Sequence, residues 1–83
     1  MPSKKVERIQ TGVRIEKRVL KVLKSIAAHK EMGLGDLIEG IVLHSFEGKS
    51  PFSADTLKFI EEMRRAYKLD LTASDSHNLV ETE

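Results

Sequence analysis

The residues that most often carry chemistry in a small protein are few here, and most fall at the wrong spacing. Gly48, Lys49 and Ser50 have the ending of a nucleotide phosphate loop. That loop also needs a glycine at position 43, which is Leu43, and a strand before it, where a helix is predicted. His29, His44 and His77 are the only histidines, none at the close spacing of a helical metal pair, and there is no cysteine to supply a thiolate. No metal or other cofactor is predicted. "SDSH", Ser74 to His77, holds a hydroxyl, an acid and an imidazole, but a polar tail does not fix a nucleophile against its base, so enzymatic activity is not expected. Gly33 and Gly35 bracket Leu34 in "EMGLG". Their plain reading is a tight interhelical turn. Their sharper reading is that the amides of residues 33 to 36 open a helix and receive a phosphate oxygen, with Gly35 leaving room for it and Asp36 opposing it.

Charge is divided unevenly along the chain. The formal net charge is +1 over 83 residues. Residues 1 to 32 hold nine Lys and Arg against Glu7, Glu16 and Glu31, a net of +6, while residues 33 to 83 hold five basic and ten acidic residues, a net of −5. A basic end of this kind attracts a polyanion. With no cysteine for a disulfide framework, no apolar run near the ~20 residues of a membrane span and no apolar core in "MPSKKVERIQ", the chain reads as a soluble cytoplasmic protein.

The elements that must position these groups follow from periodicity. "MPSKK", residues 1–5, reads as a mobile basic arm. In "RIQTGVRIEKRV", residues 8 to 19, Ile9, Val13 and Ile15 alternate with Arg8, Gln10, Gly12 and Arg14, which predicts a strand over about residues 7 to 15. From Glu16 the period becomes helical, with Val19, Leu20, Leu23, Ile26 and Ala27 on one face. This helix of about four turns should end near Gly33 and Gly35, which offer left-handed backbone conformations. A second helix is predicted from about Leu34 to Glu47, its wide apolar stripe running through Leu37, Ile38, Ile41, Val42 and Phe46, and Gly40 in its middle suggests a closely packed backbone. Gly48 and Pro51 end it. A third helix, about residues 54 to 67, starts at the N-cap Ser53 and carries Leu57, Ile60, Met63 and Tyr67, with Phe52 and Phe59 nearby. The acidic tail beyond it is expected to be only partly ordered, with one turn near "TASDSHNLV" capped by Ser74.

Strand, helix, short turn and amphipathic helix over about residues 7 to 47 resemble the ribbon-helix-helix family of the Arc and methionine repressors. The likeness covers roughly half the chain. It implies a mainly α fold with one short N-terminal strand: a homodimer whose strands pair into an intermolecular two-stranded antiparallel ribbon that enters the major groove, with a C-terminal helix added. Residues 6–48 would be the DNA-binding and dimerisation domain, and residues 49–83 the C-terminal helix and acidic tail. The resemblance places Gln10, Gly12 and Arg14 toward the bases, extended by Arg8, since Arg suits guanine and Gln suits adenine. It assigns phosphates to Lys4, Lys5, Lys17 and the helix start at Gly33, Leu34 and Gly35. It makes Val13, Ile15, Leu20, Leu23, Ile26, Leu37, Ile38, Ile41, Val42 and Phe46 the dimer core. This sequence departs from the pattern at Gly12, which has no side chain to read a base, and at Gly33, where the family often has Ser or Thr.

The expected function is a sequence-specific DNA-binding transcriptional regulator, a repressor acting on double-stranded DNA as one or more dimers. The rival is an all-helical protein-interaction module in which residues 7 to 15 form an unpaired arm and the second helix binds another protein. An antitoxin-like variant binds its partner through the C-terminal extension.

Overall fold

A computed structural model describes residues 3–82; Met1 and Pro2 of the predicted arm, and Glu83, lie outside the described residues. The order is α1 (Lys17–His29), α2 (Leu34–Phe46) and α3 (Ala54–Ala66), followed by one 3-10 turn, Ala73–Asp75. There is no strand among the described residues. This overturns the ribbon-helix-helix fold predicted above, which requires a β-ribbon. Among the described residues, none from 3 to 15 makes a backbone–backbone hydrogen bond, and the segment is exposed throughout. The reason is physical. Alternation decides which side chains share a face, but a strand also needs a ladder partner, and no other segment supplies one.

The helix boundaries have local causes. Glu16 precedes α1, and its carboxylate accepts from the amides of Arg18 (2.9 Å) and Val19 (3.0 Å). Ser53 caps α3 by accepting from the amide of Thr56, as its position predicted. At the C-termini all three helices close in the same way, with paired backbone bonds from the second and third residues past the last helical one back into the final turn. After α1, Glu31 bonds to Ala28 (3.1 Å) and Met32 to Ala27 (2.9 Å); after α2, Gly48 bonds to Ser45 and Lys49 to His44; after α3, Lys68 bonds to Arg65 and Leu69 to Arg64. The reversing residue takes a left-handed φ each time: 55° at Glu31, 69° at Gly48 and 56° at Lys68. Gly33 and Gly35 were expected to supply this conformation for α1 and do not. Gly33 instead is the N-cap of α2 at φ −72°.

The core is small. Val22, Ile26 and Ala27 of α1 and Leu37 of α2 are buried, with Leu23, Met32, Ile41, Phe52, Phe59, Ile60, Met63 and Leu69 packed around them. The predicted α1 face omitted Val22, which is buried because α1 packs against both other helices. α3 runs antiparallel to α1: the His29 ring stacks on Phe59 with centroids 4.0 Å apart, and Lys21 Nζ sits 5.7 Å over the Tyr67 ring. Leu57, expected inside, is exposed, while Thr56 is buried. A Cβ at Gly40 would meet nothing within 4 Å, so the close backbone expected there is not part of this chain. Thr72, not Ser74, caps the turn in the acidic segment, its amide bonded to Asp75 (2.8 Å). No helix among the described residues is long and apolar enough to cross a membrane.

Candidate nucleic-acid interface

The arm, residues 3–15, is positioned by one good ion pair. Arg8 makes a fork with Glu39 of α2, Nε to Oε2 and Nη2 to Oε1, both 2.9 Å. These bonds hold the Glu39 carboxyl below its ordinary pKa and raise that of the guanidinium. A groove opens between the arm and the first half of α2, and Arg8, Gln10, Gly12, Leu34 and Gly35 share its lining with Asp36. The structure therefore brings three of the four predicted base-reading residues together with the predicted phosphate amides. The amides of Leu34, Gly35 and Asp36 precede the first intrahelical bond of α2, from Leu37 to Gly33, and no side chain caps them. A Cβ at Gly12 would meet nothing within 4 Å, so this position is open to any side chain.

Arg14 and Lys17 lie on the other side, in a second groove that the acidic segment completes. There the Arg14 guanidinium pairs with Glu81. Arg18, which no motif singled out, is bonded to Glu16 Oε2 (3.1 Å), Asp70 Oδ1 (3.0 Å) and the Lys68 carbonyl (2.9 Å). Donation from the Val19 amide, helped by Arg18, holds the Glu16 carboxyl below its ordinary pKa. Lys4, Lys5, Lys17 and Lys24 are exposed with no ion pair among the described residues. Lys17, Lys21 and Lys24 recur at helical spacing along one side of α1.

The residues assigned to a dimer core divide in two. Ile26 and Leu37 are buried within the chain, and Leu23 and Ile41 pack on them. Leu20 and Ile38 are half-buried, whereas Val13 (73%) and Phe46 (80%) are largely exposed, with Ile15 and Val42 at the margin; Ile9 (82%) and Leu43, not assigned to that core, are exposed as well. The total surface is 7475 Å². A compact 9.4 kDa monomer exposes about 5,000 Å². The difference, about 2,500 Å², goes with an arm whose residues 3–15 are all exposed. No protein-family model, no curated protein and no solved structure matches the chain.

Proposed function

We propose that this protein binds double-stranded DNA as a homodimer and regulates transcription, with the basic arm and the lysine side of α1 as its contact surface. The observation that carries the reading is the separation of charge. Residues 1 to 32 hold a net of +6 along the sequence; Arg8, Arg14 and Arg18 are paired with carboxylates, while Lys4, Lys5, Lys17 and Lys24, on the arm and one side of α1, have no ion pair among the described residues. Such a surface neutralises phosphates and releases counterions. Phosphate contacts by Lys4, Lys5 and Lys17 in two protomers would give a slope of about −5 in log K against log salt, a loss of about 10³ in affinity between 50 and 200 mM. Gln10 and Arg14 on the exposed arm, together with Arg8 once Glu39 yields it, offer amide and guanidinium groups suited to base edges.

The exposed Val42, Leu43 and Phe46 on the last turns of α2 support a second copy as the partner that covers them. Residues 42, 43 and 46 fall on one side of the helix, and two copies meeting there would remove part of the excess surface. The same patch is the specific support for the rival reading, in which α2 docks a different protein.

The test is binding to random duplex and to the DNA upstream of the protein's own gene, at about 50 and about 200 mM salt, for native protein and Arg14→Ala. Steep salt dependence, preference for the upstream DNA, and a tenfold or greater loss of that preference in the variant are expected, in line with ~1–3 kcal/mol per bidentate base contact. No binding to either duplex at the lower salt removes the reading.

A further inference from the structure

Beyond Tyr67 the chain does not leave the molecule; it turns back to the N-terminal end of α1. Lys68, at φ 56°, reverses direction. Arg18 then takes the Lys68 carbonyl (2.9 Å) and Asp70 (3.0 Å), and Arg64 Nη2 donates to the Leu71 carbonyl (2.8 Å). After the Ala73–Asp75 turn the segment returns to the groove beside Val13 and Ile15, where Leu79, Val80 and Glu81 form one wall and Glu81 pairs with Arg14.

We infer that residues 68–82 are a displaceable strap that holds Arg14 and Arg18 with the chain's own carboxylates and competes with DNA for them. The inference rests on the DNA-binding reading above. Its observations are the two intersegment ion pairs and the groove that both segments line. The strap is built to come off. Val80 stays almost wholly exposed and Leu79 more than half exposed, so little apolar surface holds it. The Arg14–Glu81 pair is exposed on both sides, a setting in which ion pairs are weak and screened by salt. Phosphates at higher local density than two carboxylates displace such a contact, whereas a duplex arriving at low occupancy must first compete with it.

The full-length Asp70→Asn, Glu81→Gln double variant removes both carboxylates. A second double variant, Asp55→Asn, Glu62→Gln, makes the same charge change on the exposed side of α3, away from either contact. Each is titrated against a labelled duplex of about two helical turns at about 50 mM salt, with the arginine Nε–Hε resonances recorded without DNA. The strap variant is expected to bind about three- to tenfold more tightly than native protein and than the α3 variant, with shifted Arg14 and Arg18 resonances, and the difference should shrink at about 200 mM salt. An equal gain in both variants, or none in the strap variant, overturns the strap while leaving DNA binding intact. If no protein binds the duplex, the DNA reading falls and the competition with it, and the resonances then report only whether the segment is seated on the arginines.

Discussion

Phe46 gives the sharpest test of whether this chain completes its fold with a second copy. It is the last residue of α2 and leaves 80% of its surface in water, beside Leu43 at 62%. In an isolated chain Phe46→Ser removes little buried area, and position 46 is too near the helix end for propensity to matter, so stability should change by less than about 0.5 kcal/mol. In a two-fold dimer that covers the residue, each copy loses about 2 kcal/mol of apolar burial. Symmetry doubles this to about 4 kcal/mol, a rise of about 10³ in the dimer dissociation constant. Sedimentation equilibrium across nanomolar to millimolar protein, run on native and variant, reads that constant directly. Circular dichroism of the same samples reports whether the helices are intact. Native protein that is monomeric throughout, or a variant with an unchanged dimer constant, refutes the reasoning and leaves the patch to a different partner.

The same geometry sets further outcomes. Gly40→Ala has free space around its Cβ and should stabilise a lone chain by about 1 kcal/mol through helix propensity; a second copy packed at that point reverses the sign, which concentration-dependent melting detects. Lys68→Gly and Glu31→Gly relieve left-handed residues at helix ends and should each stabilise by about 0.5–1 kcal/mol, the steric relief exceeding the added entropy of unfolded glycine. That is roughly 2–8 °C in melting temperature for a domain of this size, and no rise would show that the backbone there is held for another reason. Glu16 and Glu39 have native pKa values lowered below 4.5, so their stabilisation is complete above that value and is lost as pH falls through the lower native one. Glu16→Gln and Glu39→Gln should therefore melt lower than native protein at pH 7, with the gap closing in acid. A gap independent of pH would point to packing instead.

Three helices, their capping serine at position 53 and the glycine stop at position 48 were legible in the residues, because each depends on contacts within a few positions of its own sequence. The predicted strand was not realised, although its alternation is real. Periodicity is local, while a ladder depends on a partner that periodicity cannot name. The burial of Val22 was missed for a related reason, since a helix packed on two sides shows a blurred stripe instead of one clean face. Glu31 and Lys68 as left-handed helix ends ran against preference, because the turn is imposed by Met32 and Leu69 packing back on the core.

The candidate site divides along the same line. Order along the chain by itself determined that positive charge gathers before residue 33 and negative charge after it. Tertiary structure alone decided that Arg8 is tied to Glu39, that the arm and the start of α2 share a groove, and that Glu81 returns to Arg14 across most of the chain. Charge and local period are properties of order along the chain. Pairing between residues 31 and 67 positions apart depends on the path the helices take, and that path is set by how their apolar faces pack.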